Sequence, residues 1–137
     1  MKRDEILNMP AGREMDRLIA EKVMGLSVYD GERKIVRYEG FHGQHKRTYS
    51  IPEIYVRVSG VANYSCDSYS TDIKYAWLVF EKYTKIIGSV FNPFVENAPK
   101  GFVCSFDGIN YAWECDTASL AICRAALLAV EAINVNP

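Results

Sequence analysis

The residues best suited to chemistry lie in one basic segment, residues 32–47. Five arginines or lysines and both histidines of the chain fall there, opposed only by Glu32 and Glu39. The candidate ligand-binding residues are Arg33, Lys34, Arg37, His42, His45, Lys46 and Arg47. Guanidinium groups bind phosphate through paired hydrogen bonds, and Gly40 and Gly43 would let backbone N–H groups approach the same anion. The segment therefore predicts a site for a compact phosphorylated ligand.

A second interpretation of this segment involves no ligand. Lysine and arginine are common on exposed strand edges, where they prevent pairing with other chains. His42 and His45 have a spacing that suits metal ligands on a helix, but Gly43 indicates a loop, and two histidines are too few ligands. We predict no metal site and no cofactor, and both interpretations of the basic segment stay open.

Sequence patterns of catalysis are missing. The chain contains no GxSxG, P-loop or GxGxxG motif. Cys66, in NYSCDSYS, looks like the most exposed thiol, but it has no convincing local base, although His42 or His45 could approach it in space. We therefore predict a protein that is not an enzyme and has no catalytic residues, with an enzyme acting on a nucleotide as the less favoured alternative.

The stretch SYSTDIKYAW, residues 68–77, predicts the start of a helix. We interpret Ser70 as its N-cap and Asp72 as residue N2, where the positive end of the helix dipole favours a carboxylate. The free N–H groups at that end could also bind a phosphate, but Asp72 would repel it. Both side chains are therefore expected to serve the helix and not a ligand.

Hydrophobic periodicity predicts three main helices, at residues 10–25, 71–83 and 117–133. Pro10 suits the first turn of the first helix, Gly25 ends it, and Thr117 is a good N-cap for the last. A helical turn or short helix is also expected at 4–9. The last helix is apolar nearly all round, which predicts a central position in the core. Trp77 and Trp113 are expected at the core or its edge, with base stacking as the alternative.

Strands are predicted where apolar and charged residues alternate, in RKIVRYEG (33–40) and EIYVRVSG (53–60). The intervening GFHGQHKRTYSIP (40–52) has no periodicity and is predicted to be a loop, with an irregular strand near Tyr49 as the alternative. Asp107-Gly108 predicts a hairpin within residues 101–115, and Pro93 and Pro99 argue against a central strand between them. This order of elements indicates an α+β fold, with helices packed in layers on a mainly antiparallel sheet.

Size and charge limit the class of protein. The chain has 137 residues, 49% of them apolar, and a formal net charge of −1. These values fit one domain spanning residues 1–137 and indicate neither duplex nucleic acid nor a membrane as partner. The N-terminal segment is too charged for a signal peptide, and the apolar run at 119–130 is too short for a bilayer. Four cysteines without a CxxC pair are expected to be reduced, which indicates the cytoplasm.

Three stretches together resemble the phage ABA sandwich domain family: GREMDRLIAEKVMG (12–25), YSTDIKYAW (69–77) and ICRAALLA (122–129). Their order and spacing carry the resemblance, which spans almost the whole chain. Lys74 and Tyr75 stand where the family usually has small residues. The resemblance implies a phage or prophage protein with helices layered around a sheet, and it supplies no catalytic residues.

Two functions are consistent with these observations. The first is a non-enzymatic protein, in the cytoplasm of the bacterial host, that sequesters a phosphorylated nucleotide-type signal of host defence. This hypothesis rests on an analogy with other small phage proteins. The alternative is a phage protein that binds a host or phage protein and no small ligand. A homo-oligomer is compatible with either.

Overall fold

The computed structural model describes residues 2–57, 64–87, 94–98 and 101–135. The helices in these ranges are α1 (Arg3–Asn8), α2 (Arg13–Leu18), α3 (Ile73–Ile87) and α4 (Ala118–Val135). The strands are β1 (Ser27–Glu39), β2 (His45–Arg57), β3 (Tyr64–Ser65), β4 (Phe94–Ala98), β5 (Gly101–Ser105) and β6 (Tyr111–Cys115). They form two antiparallel sheets, in the orders β1-β2-β3 and β4-β5-β6. The predicted α+β class is confirmed.

Helix α4 lies at the centre of the core. It packs against α1, α3 and strands β4, β5 and β6, and most of its residues from Leu120 to Ala129 are buried. The Thr117 hydroxyl accepts a hydrogen bond from the Leu120 N–H at 3.1 Å, as an N-cap does. Both the central position and the cap are as predicted, because an all-round apolar helix needs neighbours on several sides.

Helix α2 continues into a π-helical turn, Ile19–Val23. Gly25, at φ +68°, ends this segment as predicted, and the Leu26 N–H donates to the Ala20 carbonyl at 2.8 Å. The start differs from the prediction, since α2 begins at Arg13 and Pro10 lies outside it. Gly12, at φ +150°, holds the N-cap position in a conformation that other residues avoid, and this delays the start of the helix.

The sequence predicts that Ile73, Ala76, Trp77 and Phe80 form the apolar stripe of α3, and only part of this stripe faces the core. Ala76, Val79 and Tyr83 are buried, whereas Ile73 is exposed and Trp77 is 44% exposed. The buried stripe shares Ala76 with the predicted one and turns toward Val79 and Tyr83, and α3 contacts α4. Trp77 nevertheless packs edge-on against Phe80, with ring centroids 5.2 Å apart. The expectation that Trp77 lies in or beside the core is met only through that contact.

The predicted hairpin at Asp107-Gly108 is confirmed as β5 and β6. The Asp107 carboxylate accepts hydrogen bonds from the N–H groups of Ile109 and Asn110, at 2.9 and 2.7 Å, and Gly108 takes φ +76°. Trp113 is 58% exposed, so its predicted place at the core is wrong. Strand β4 lies at the edge of this sheet, in agreement with the prediction that no central strand lies between Pro93 and Pro99. The two prolines themselves lie outside the described residues.

Strands β1 and β2 form a long antiparallel hairpin, here called the arm, with five residues (40–44) in its turn. Thirteen pairs run without a register shift from Ser27 opposite Arg57 to Glu39 opposite His45, a length of roughly 40 Å at the usual rise per residue. Val56 and Ile54 are buried at its base, whereas residues 36–50 are all exposed. The predicted loop at 40–52 is therefore wrong beyond residue 44. A strand with water on both faces has no apolar alternation, so its sequence resembles that of a loop.

The residue that caps α3 is Asp72 and not Ser70. The Asp72 carboxylate accepts a hydrogen bond from the Lys74 N–H at 3.0 Å, and its carbonyl accepts the Ala76 N–H at 3.0 Å. The Ser70 side chain bonds elsewhere, to Gly12 and Asp16. The prediction of Ser70 as the N-cap was wrong because the helix starts at Ile73, two residues later than expected.

Replacing Asp72 by alanine should lower the free energy of unfolding by about 1 kcal/mol, since the Lys74 N–H loses its acceptor. Chemical denaturation measures the change. Glu81→Ala, on the exposed side of the same helix, is the matched control and should change the free energy by less than about 0.5 kcal/mol. Equal effects of the two substitutions would refute the assignment of the cap.

Candidate functional site

The arm divides the seven predicted ligand-binding residues between its two faces. Residues directly opposite each other in an antiparallel pair point to the same face, and neighbours along a strand point to opposite faces. One face, here called the arginine face, presents Arg33, Ile35, Arg37, Glu39, His45, Arg47, Tyr49 and Ile51. The other, here called the lysine face, presents Glu32, Lys34, Val36, Tyr38, Lys46, Thr48, Ser50 and Pro52. His42 lies in the turn, so no single surface holds the predicted set.

Arg37 and Arg47 are the two predicted residues that the fold brings together most directly. They lie opposite each other on the arginine face, and Glu39 and Tyr49 complete a shallow depression around them. The Glu39 carboxylate is 3.9 Å from the Arg47 guanidinium, whose side chain is 72% exposed. Like charges opposite each other weaken strand pairing, so this arrangement is not explained by stability. An anion or an acidic surface bound between the two guanidinium groups would remove that repulsion.

The two glycines of the turn have a conformational role. Gly40 takes φ +90°, and a Cβ there would lie 2.9 Å from the Cδ2 atom of His45. The Gly43 N–H donates to the Gly40 carbonyl at 3.2 Å, within the turn. These contacts do not support the expectation that both backbone N–H groups are available to a ligand. His42, at φ +63°, packs its ring edge-on against Phe41, with centroids 4.3 Å apart.

The exposed aromatic side chains of the arm were not predicted as functional residues from the sequence. Tyr38 is 66% exposed, Phe41 is 80% exposed, and Val36 and Tyr49 are also exposed. Burying such apolar surface is favourable, and it is unusual to leave it in water close to so many cations. The signal in the sequence was the interleaving of aromatic and basic residues on either side of Gly40. That pattern is typical of a surface that meets a partner.

A second polar cluster lies at the base of the arm. It borders a cavity of about 80 Å³ lined by Arg13, Asp16, Glu53, Ile54, Cys66 and Ser68. The buried Asp16 carboxylate accepts hydrogen bonds from the Ser70 N–H at 2.8 Å and the Ser70 hydroxyl at 2.7 Å. The Ser70 hydroxyl oxygen in turn accepts the Gly12 N–H at 2.9 Å. This network ties the start of α2 to the segment before α3.

The cluster offers little nucleophilic chemistry. Burial, together with the nearby carboxylates of Asp16 and Asp67, raises the pKa of the Cys66 thiol to about 12. The thiol donates toward the Asp16 carbonyl, with the sulfur 3.6 Å from the oxygen. Since the thiolate is the reactive form, Cys66 is a poor nucleophile at neutral pH. The hydrogen bonds of this cluster have a structural role, because they join the start of α2 to the segment before α3.

Among residues 2–57, 64–87, 94–98 and 101–135, no three or more His, Cys, Asp or Glu residues are grouped so that they could hold a metal ion. In the same ranges, no helix has both the length and the apolar character needed to cross a membrane.

Comparison with known proteins identifies the family. The model of the phage ABA sandwich domain family matches residues 17–127. The chain belongs to this family. A crystal structure of a phage protein from Bacillus cereus ATCC 14579 is similar in fold, with a TM-score of 0.56, 21% sequence identity, and coverage of 88% of this chain and 92% of that chain. No curated protein matches the sequence.

The stretches that resemble the phage ABA sandwich family have structural roles here. Asp16, in the first stretch, binds Ser70, in the second. Arg124, in the third, donates two hydrogen bonds to the Met9 carbonyl, at 2.8 and 3.2 Å, and so holds the end of α1. Lys74, in the second stretch, is exposed at the start of α3. In these stretches the resemblance to the family therefore coincides with contacts that hold the helices together.

Proposed function

We propose that this phage protein is a non-enzymatic interaction protein that binds an acidic surface of a host or phage protein through the arginine face of its arm. The observation that carries the proposal is the opposed pair Arg37 and Arg47 beside Tyr49, on a strand pair that projects from the core. Arginine and tyrosine are enriched where proteins bind each other. Ile35 and Ile51 supply apolar contacts on the same face.

The open shape of the arginine face favours a protein over a small ligand. Pockets for small molecules usually bury most of the ligand, which requires walls around it. The arm has water on both faces beyond its base, and exposed ion pairs are screened by salt. A protein partner would itself exclude that water and would cover the two arginines and Tyr49 together. Residues 32–47 carry a formal excess of three positive charges, which suits an acidic partner.

A phosphorylated nucleotide-type ligand is the second candidate. Its support is the same Arg37–Arg47 pair, whose guanidinium groups suit a phosphate, with Tyr49 beside them for a base to stack on. Sequestering a nucleotide signal of host defence would use this depression. Glu39, at 3.9 Å from Arg47, reduces the positive charge there and makes this candidate weaker.

The test places a photocrosslinking amino acid at Tyr49, in the full chain, within cells infected by the phage that encodes it. We expect Tyr49 to label one protein partner and the same probe at Ile109, exposed on the other hairpin, to label none. The double variant Arg37→Ala, Arg47→Ala should lose the labelling. Lys74→Ala, Lys82→Ala removes the same charge from the exposed side of α3 and should keep it.

The second candidate is separated from the first by calorimetry with a panel of cyclic and linear nucleotides on the same variants. Nucleotide binding lost with Arg37 and Arg47, and no protein labelled from Tyr49, would favour the nucleotide. Protein labelling that survives in the arginine double variant would overturn the role of the arginine face.

A further inference from the structure

Strand β1 presents a long free edge. It is the outer strand of its sheet, and within the described residues its thirteen positions pair only with β2. In an antiparallel pair, every second residue directs its backbone N–H and C=O groups away from the neighbouring strand. Such an edge is a template for another strand unless it is short, bulged or covered. The register of β1 with β2 contains no bulge.

We propose that a second copy of this chain pairs its own β1 with this edge, antiparallel, about a two-fold axis at Arg33. This register opposes Glu32 to Lys34 of the second copy, and the symmetry repeats the pair on the other side of the axis. Opposite charges that face each other across strands stabilise a pair.

Other registers pair fewer residues. Arg33 is the middle residue of β1, so an axis there pairs all thirteen positions, whereas an axis at Val36, which opposes Arg33 to Glu39, pairs only positions 33–39. A slip of one residue would place the arginine face of one copy beside the lysine face of the other, which a two-fold axis normal to the sheet does not allow. A slip that moves the axis to Glu32 or to Lys34 opposes two glutamates or two lysines. The proposed register brings only Arg33 opposite itself, and its long side chain can turn away along the axis.

The same register explains the exposed aromatics of the arm. Ser27 at the base of one arm is opposite Glu39 at the end of the other, so each turn reaches just beyond the base of the neighbouring arm. Tyr38 is then opposite Val28 of the second copy. Gly40 is level with Leu26, which packs partly buried against the core, so Phe41 follows just beyond it. The two most exposed aromatic side chains of the arm would thus gain apolar neighbours.

This self-association is independent of the proposed function. It uses the edge of β1 and the charged pair on the lysine face, and it leaves Arg37, Arg47 and Tyr49 open on the arginine face. The distribution of charge along the chain also favours this self-association. Residues 32–47 carry a formal charge of +3, which leaves −4 on the remainder of the chain, including the body that each turn would approach.

Sedimentation equilibrium of the full chain tests the proposal. We expect a dimer for the wild type, and a dissociation constant raised by about tenfold in Glu32→Lys and in Lys34→Glu, because each change opposes like charges twice. The double variant Glu32→Lys, Lys34→Glu restores opposite charges and should restore the wild-type constant. Both positions are exposed, so thermal melting at a protein concentration below every dissociation constant, where all the proteins are monomers, should be unchanged in all three.

Crosslinking checks the register. Arg33→Cys, directly opposite itself, should form an intermolecular disulfide under mild oxidation, whereas Glu39→Cys, opposite Ser27, should not. A monomeric wild type, single variants that dimerise like the wild type, or a double variant as weak as the singles would each overturn the proposal. None of these outcomes would affect the labelling expected from Tyr49.

Discussion

Leu127→Asp should prevent stable folding. Leu127 is fully buried in α4, the helix that contacts α1, α3 and three strands. A carboxylate there would lose its water and gain no partner, which costs several kcal/mol of the roughly 5–15 kcal/mol that hold a domain folded. Circular dichroism and thermal melting measure the result, and we expect no cooperative transition.

Two companion variants make the result interpretable. Ile109→Asp introduces the same charge at a position that is 79% exposed, and its melting should match the wild type. Leu127→Ala removes packing without adding charge and should cost about 2–5 kcal/mol while keeping a cooperative transition. A Leu127→Asp protein that melts like the wild type would show that α4 is not central to the core.

Asp16→Ala should lower the free energy of unfolding by about 3 kcal/mol. The carboxylate is the acceptor for both the N–H and the hydroxyl of Ser70, and each buried donor left unpaired costs about 1–3 kcal/mol. Denaturant unfolding measures the loss. Ser70→Ala should be destabilising too, and the double variant should lose less than the sum of the two single losses, because the residues share one interaction.

Asp16→Asn separates the hydrogen bonds from the charge. Its side-chain oxygen still accepts from Ser70, so the loss should be smaller than for alanine. Burial raises the pKa of Asp16 above its ordinary value of 3.8, against the opposing effect of the Ser70 hydrogen bonds. The folded protein therefore binds this proton more tightly than the unfolded chain does.

The sign of the pH effect follows from that difference. The contribution of the Asp16 proton to stability is fully present below pH 3.8 and is lost as the pH rises through the folded pKa. The wild type should thus lose stability relative to Asp16→Asn as the pH rises across that window. A difference that is constant with pH, or that grows, would contradict the raised pKa. Comparing the two proteins removes the opposite effect of Asp107, whose pKa is lowered chiefly by hydrogen bonds from Asn110, against desolvation.

Elements defined by local patterns were predictable from the sequence. The Thr117 cap, the Gly25 stop and the Asp107-Gly108 turn each depend on residues within a few positions of one another. The apolar surface of α4 required a central position whatever its neighbours were. These features gave the α+β class correctly, and the basic character of residues 32–47 was visible as a simple excess of charge.

The tertiary structure decided what those residues can do together. Ser70 looked like a cap, but its hydroxyl bonds to Asp16, 54 residues away, and no local pattern reports such a distant partner. Residues 45–52 of the arm were predicted to be a loop, because strands without a buried face lose their apolar alternation. Only the register of β1 and β2 places Arg37 opposite Arg47 and puts both on the face away from Lys34 and Lys46. That register depends on pairing between residues far apart in the sequence, and a shift of one residue would exchange the two faces of a strand.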